Sequence, residues 1–307
     1  MSDGRVVVVG DALIDELRDE RGVREFVGGA ALNVAVGLSR LGVAATLIAM
    51  VGDDEAGAKI RSYLEDFGVE LIATASPVGS SRAVSVRASG GEPTYEFNAA
   101  ARGRRIRFGE SERAALAAAS AIVISCFPFD DVDQATELAD AVEASTAPLI
   151  IDPNPRDGMM RDLAAFVSGF EALVPRAALV KVGDDDAALM YEQSVDETVA
   201  RMRSLGAPVV FCTRGAAGAG ILAEGMDAAA PVAVLRGRVV DTMGAGDAAL
   251  AATVTALIDD AAPRTSSAWQ DVLEETMRIA AATCRFEGAL LRTPDELRDV
   301  DIDSIGT

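Results

Sequence analysis

The chain has 307 residues, half of them hydrophobic, which is enough for one sizeable α/β core with an appendage. A net charge of −20 with no basic stripe argues against a nucleic-acid partner, and any anionic ligand has to be met by local donors and a divalent metal. The absence of histidine removes every Ser-His or Cys-His nucleophile and the commonest zinc ligand, so a general base has to be a carboxylate, Lys, Tyr or Cys.

The first ten residues show no basic leader with an apolar core and cleavage site, and no apolar run reaches the ~18 residues of a membrane span. We therefore expect a soluble cytoplasmic protein with no membrane partner. Residues 6–9 form a valine run ending at Gly10, the pattern of a strand buried on both faces. Similar runs at 46–51, 121–125, 149–152, 179–182 and 209–213 predict further parallel strands. Between them, apolar spacings of three and four predict helices over 30–41, 55–67, 131–144 and 195–205. After 213 the order changes to strands at 218–222 and 229–235, which predict an antiparallel edge, and then to helices over 246–258 and 266–286. Residues 293–307 read as a charged surface tail.

Two segments interrupt the alternation, 13–27 and 82–106, the second containing a hairpin pattern around Gly90-Gly91. We expect them to form a small β lid on a main α/β domain made of 1–12, 28–81 and 107–307. Such a lid lies over the C-terminal edge of the sheet, where open α/β folds bind ligands. Its exposed edge invites a homodimer contact. Cys126, Cys212 and Cys284 stand in apolar stretches without metal-ligand spacing and are expected as buried thiols of a reducing compartment.

The most informative stretch is Asp241-Thr242-Met243-Gly244-Ala245-Gly246-Asp247, a strand end, a glycine turn and a helix that begins with an acid. Small residues let backbone curl around a ligand, and the free N–H groups of a helix start make an anion site. Asp247, in the first helical turn, is expected to stay ionised under the helix dipole and to accept a proton from a hydroxyl. A helix cap is the commoner role for such an acid. The six residues from Gly244 also fit G-x-G-x-x-A, but no following strand and no acid about twenty residues on supports a dinucleotide site. No G-x-x-x-x-G-K-[ST] loop occurs, so the phosphate site is not a P-loop.

The turn resembles the second signature of the ribokinase-like, or PfkB, carbohydrate kinases. Gly28-Gly29-Ala30-Ala31-Leu32-Asn33, and then Gly52-Asp53-Asp54 with Gly57, is similar to the family's first signature. Asp152-Pro153-Asn154-Pro155-Arg156 is similar to the D-x-N-x-R segment of fructokinase-like and ketodeoxygluconate-kinase-like members, and Thr213-Arg214-Gly215-Ala216-Ala217-Gly218 to the nucleotide-side T-x-G-x-x-G turn. These matches run in family order from about residue 5 to 297. The resemblance implies a three-layer α/β/α fold with a mostly parallel central sheet and a β-sheet lid, and an ATP-dependent sugar kinase.

By the same resemblance, Asp15, Gly28, Gly29 and Asn33 hold the sugar, with Phe97, Arg102 and Arg156 as further substrate-side candidates. The backbone of Gly244, Ala245 and Gly246 forms the anion hole, and Asp247 is the base. Lys181, Thr213, Gly215 and Gly218 fall on the nucleotide side, with Lys181 and Arg156 as phosphate-side cations. Mg2+ on the ATP phosphates and K+ near the Asp241 loop are implied as cofactors. Asp186 stands where the family carries a metal-arranging glutamate, on a shorter arm. Met243 and the Arg285-Phe286-Glu287 run before Gly288-Ala289 also depart from the usual pattern. Fructose is the preferred acceptor. A keto-sugar acid, for which Arg102 or Arg104 would supply a cation, a nucleoside, and a non-catalytic sugar-binding role are the alternatives.

Overall fold

The computed structural model describes residues 4–20, 22–86, 94–259 and 263–298. Strand β1 (Val6–Gly10) leads into β2 (Leu13–Asp19) and β3 (Gly22–Gly28), then α1 (Ala30–Arg40), β4 (Ala45–Gly52), α2 (Glu55–Asp66) and β5 (Glu70–Ser76). Next come β6 (Ser81–Val86), β7 (Thr94–Phe97), the short α3 (Ala99–Arg102) and α4 (Glu110–Ala117). Strands β8 (Ala121–Ser125), β9 (Leu149–Asp152), β10 (Ala177–Gly183) and β11 (Val209–Thr213) alternate with α5 (Val132–Glu143), α6 (Leu163–Leu173), α7 (Asp184–Tyr191) and α8 (Val195–Ser204). The hairpin β12 (Ala219–Ala223) and β13 (Met226–Ala230) and the helices α9 (Ala245–Asp259) and α10 (Ser266–Thr283) follow.

Nine strands form one sheet in the order β13-β12-β11-β10-β9-β8-β1-β4-β5, parallel from β11 to β5, with β12 and β13 antiparallel at one edge. Every residue of β1 is buried because both faces are covered. Val6 and Val8 pack with residues of α1, α9 and α10, whereas Val7 and Val9 pack with residues of α5, α6 and α8. This is the alternation of a strand between two helical layers. From β1 the chain builds β4 and β5 on one side and β8 to β11 on the other, so strand order reverses at its C-terminal end. That reversal is where open α/β sheets form a ligand crevice.

The second sheet has the order β3-β2-β6-β7. Lys59 of α2 meets Glu25 of β3 at 2.8 Å, and Arg82 of β6 meets the same Glu25 at 2.7 Å within the sheet. Asp54 caps α2 at the Gly57 N–H and also accepts from the Ser80 N–H and hydroxyl, which anchors the entry to β6. The Gly52-Asp53-Asp54 string is thus a structural joint between the sheets. The Gly90-Gly91 turn lies outside the described residues. Ile106 and Phe108, past α3, are buried in the core on the α5–α6 side of the main sheet.

The expected strand at 229–235 is placed earlier, at Met226–Ala230, because Glu224-Gly225 makes a tight hairpin turn and Pro231 has no N–H to continue the ladder. Helix α10 stops at Thr283 rather than 286. The buried Arg285 beyond it donates to the carbonyls of Leu235, Arg236 and Ala281, fixing the irregular segment between β13 and α9. Among the described residues, no helix is long and apolar enough to cross a membrane.

Candidate active site

The C-terminal ends of β1, β8, β9, β10 and β11 deliver the polar groups of the crevice, and each arrives by register. Ser125 pairs with Asp152 across β8 and β9, and Gly183 with Thr213 across β10 and β11. Lys181, near the end of β10, puts its ammonium 3.0 Å from the Asp152 carboxylate and 4.0 Å from Asp186. The Ser125 hydroxyl donates to the other Asp152 oxygen at 3.3 Å. Both Lys181 and Asp152 are almost fully buried, so Lys181 is not a solvated surface charge. Burial works against its ammonium, but Asp152 and Asp186 outweigh that and hold its pKa above the ordinary value.

Asp247 begins the buried part of α9 and is 7% exposed. Asn33 Nδ2, from α1, donates to its Oδ2 at 2.8 Å, which fixes the carboxylate and leaves Oδ1 available. Its pKa is pushed up to about 6, by burial first, with Asn33 opposing and Asp152 adding to the rise. The helix dipole was expected to hold it low. The dipole is worth at most about a unit at a helix start, whereas desolvation of a buried acid reaches several, so burial wins. At pH 7 the group is still largely a carboxylate.

Just before it, Gly244 takes φ +74° and packs so closely that an added Cβ would sit 2.6 Å from the Cα of Ala289. Only glycine meets both demands. Among the described residues, the N–H groups of Gly244, Gly246 and Asp247 take no backbone acceptor, while that of Ala245 leans to the Thr242 carbonyl at 3.3 Å. A Cβ on Gly246 would lie 3.7 Å from Lys181 Nζ, so the ammonium sits directly beside the turn. Asp241 braces the turn from behind, accepting from the Met243 N–H at 3.1 Å and the Gly288 N–H at 3.3 Å.

On the side of the second sheet, Asp15 of β2 faces Gly28 of β3, where a Cβ would meet its Oδ2 at 2.3 Å. Asn33 Oδ1 borders the same spot. Burial, and then the charge of Asp11, push the Asp15 carboxyl up to about 7. Gly29, at φ +109°, lets the chain pass over the Asp11 carbonyl and enter α1, whose Ala31 N–H donates to the Asp11 side chain at 3.0 Å. Phe97 of β7 closes an apolar patch with Ala30, Ala101, Cys126 and Met159.

Arg156 lies on the loop after β9, its side chain open to solvent although burial weighs most against its charge. Both hold for a head group on the wall of a concave cleft. Cys126 and the carboxylates of Asp247, Asp186 and Asp11 outweigh the burial and raise its pKa. Among the described residues its guanidinium makes no ion pair or hydrogen bond. Arg102 and Arg104, by contrast, are committed to backbone: Arg102 to the Phe97 carbonyl at 2.6 Å, and Arg104 to those of Ala101 and Cys126 at 3.2 and 3.3 Å.

Thr213 lies beside Gly183 and Asp186, since a Cβ on Gly183 would stand 3.0 Å from its hydroxyl. Gly215 has open space around it, and Gly218 is wedged against the Ala230 carbonyl. Asp186 accepts the Gly183 N–H at 2.7 Å, and burial raises its pKa while Lys181 opposes. No cluster of three or more metal-ligating side chains occurs among the described residues. The crevice nevertheless concentrates Asp11, Asp15, Asp152, Asp186 and Asp247 against Arg156, Lys181 and Arg104. Asp11 and the role of Asp152 were missed in the sequence; an acid directly following a buried first strand was the only signal for Asp11. A depression of about 430 Å³ lined by Arg5, Arg61, Glu65 and Glu70 lies at the opposite, N-terminal edge of the sheet and holds none of these groups.

Residues 3–288 match the model of the pfkB family carbohydrate kinases. A fructokinase from Rhizobium leguminosarum bv. trifolii is 30% identical over 255 residues, covering 79% of this chain and 76% of its own. A fructokinase from Xylella fastidiosa, solved with bound ATP, superposes with a TM-score of 0.78 at 19% identity, covering 96% of this chain and 97% of its own. A fructokinase double mutant from Vibrio cholerae O395, solved with fructose, ADP and potassium, gives 0.77 at 20% identity, covering 94% and 96%. The chain belongs to the pfkB family of carbohydrate kinases and has a ribokinase-like fold.

Proposed function

We propose that this pfkB-family sugar kinase phosphorylates a fructose-type sugar from ATP, with Asp247 as the base. The observation that carries the reading is the meeting of three things at one point: an oriented buried carboxylate, bare N–H groups and a buried ammonium. The acceptor hydroxyl gives its proton to Asp247 Oδ1 as its oxygen attacks the γ-phosphorus, and the bond to the ADP oxygen breaks. Charge on the moving phosphoryl group faces the N–H groups of Gly244 and Gly246, supported by Lys181 and by the unpaired Arg156. Asp15 and Asn33 take sugar hydroxyls over Gly28 and Gly29, and Phe97 packs on the apolar face of the acceptor.

Nucleotide is held beyond Thr213, with room for it left by the bare Gly215, while Gly218 shapes that turn. Bound Mg2+ neutralises the phosphates of ATP. It needs only one or two carboxylates besides those phosphates, and Asp186, with one oxygen uncommitted to Gly183, fits that need directly or through water. Potassium near the Asp241 loop is proposed from the likeness to the fructokinase solved with potassium. The commitment of Arg102 and Arg104 to carbonyls speaks against a sugar-acid acceptor, which would leave Arg156 to serve two anions. Unpaired Cys126, Cys212 and Cys284 support a cytoplasmic setting. The lid edge at β3, with Val23 exposed, supports a homodimer contact, and a monomer by light scattering would remove it.

The test is ADP release with ATP and Mg2+ and a panel of fructose, 2-keto-3-deoxygluconate, adenosine or no acceptor. Fructose-dependent release is expected. Release that no acceptor changes would overturn the reading.

A further inference from the structure

The lid and the phosphate turn share one support. In the lid ladder Asp15 pairs directly with Phe26, so the two side chains lie on the same face of the sheet. The Phe26 ring rests on Gly288, where an added Cβ would stand 3.2 Å from its Cδ1. Two residues back on the same face of β3, Arg24 forms ion pairs with Asp19 and with Glu287, the residue before Gly288. Gly288 in turn donates its N–H to Asp241, whose other oxygen holds the Met243 N–H. Ala289 is the residue against which Gly244 is packed. Residues 287–289 therefore touch the lid strand on one side and the Gly244–Gly246 turn on the other.

We infer that Phe26, assisted by the Arg24–Glu287 pair, is a positioning residue that couples the seating of sugar at Asp15 to the set of the phosphate turn. The inference rests on the proposed roles of Asp15 and the turn. Sugar held at Asp15 fixes β2 and β3, and Phe26 passes that constraint to Gly288 and thence to the turn. Because coupling between two binding sites is reciprocal, sugar tightens nucleotide and nucleotide tightens sugar by the same factor. Neither Phe26 nor Glu287 touches the reacting atoms; both act through the 287–289 support. The Met243 N–H, held by Asp241, stands in the same relay.

The experiment is calorimetric titration of full-length protein with Mg·ADP, with and without saturating fructose, for wild type, Phe26→Ala, Phe26→Leu and Glu287→Gln. Steady-state ADP release by each protein is measured alongside. In the wild type, fructose should tighten ADP by about 5-fold or more, the lower end of typical coupling. Phe26→Ala should bring that factor below about 2-fold while ADP affinity without sugar stays within 2-fold of wild type. Phe26→Leu should restore part of the coupling, and Glu287→Gln should lower it partway. A merely structural role for Phe26 would weaken ADP binding equally with and without sugar. Coupling that is absent in the wild type, or undiminished in Phe26→Ala, would overturn the inference. If no acceptor stimulates ADP release by the wild type, the kinase assignment to fructose falls first; active wild type with unchanged coupling in the variants refutes the relay alone.

Discussion

The two sides of the crevice are built by different means. The phosphate side rests on the ends of buried parallel strands and one helix start, and its groups are short, enclosed and mutually committed: Lys181 with Asp152, Asn33 with Asp247, Asp241 with two N–H groups. The proposed sugar side stands on a four-stranded sheet whose ion pair to α2, Lys59–Glu25, and whose internal pair, Arg82–Glu25, are partly open to water. Enclosed charges act in a low dielectric and are costly to disturb, whereas exposed pairs are screened and cost little. On the roles proposed above, the phosphoryl chemistry falls to the enclosed side and the choice of acceptor to the exposed one.

The contrast predicts a descending series of effects. Asp247→Asn should lower turnover by roughly 10²–10⁴-fold with the fructose KM near normal, measured by coupled ADP release, because only proton acceptance is lost. Lys181→Met should come next, strands the Asp152 carboxylate in the interior, and should cost about 3–5 kcal/mol of stability by denaturant unfolding. Pairing it with Asp152→Asn should recover a large part of that loss. On the sugar side, Gly28→Ala drives a methyl group against the Asp15 carboxylate, which has to swing away, and should raise the fructose KM by about 10-fold, roughly the worth of one lost hydrogen bond to a charged group, while the melting temperature falls by only about a few degrees. Smallest of all, Lys59→Ala removes exposed pairs to Glu25 and Glu55 and should leave the denaturant midpoint indistinguishable from wild type. A Lys59 effect as large as that of Lys181 would break the comparison.

The strand and helix order was legible because buried parallel strands write themselves as valine and isoleucine runs, as at Val6–Gly10 and Ala121–Ser125. Strand β5 at Glu70–Ser76 was not, since an edge strand covered on part of its surface mixes polar and small residues. Helix α6 at Leu163–Leu173 is apolar nearly all round, and α7 opens with three acids, so neither showed a clear helical stripe. The turn ending at Asp247 announced itself, because its glycines and acid stand together at a helix start after a strand end, and the further motifs follow in family order. The Lys181–Asp152 pair did not, because it joins residues 29 apart and exists only through the register of β9 and β10. The direction of the Asp247 shift was misjudged for the same reason: the helix dipole is local and visible in sequence, while burial is a property of the assembled core.

The central claim, that the Asp247 carboxylate takes the acceptor proton, is tested most directly by the pH dependence of kcat/KM for fructose. The measurement is best made in Asp15→Asn, where the Asp15 group, raised to about 7, no longer titrates. A base whose pKa is raised to about 6 is active when ionised, so the rate constant should be flat near pH 8 and fall tenfold per unit as the pH drops below 6. A rate constant unchanged from pH 8 to pH 5 would contradict the account.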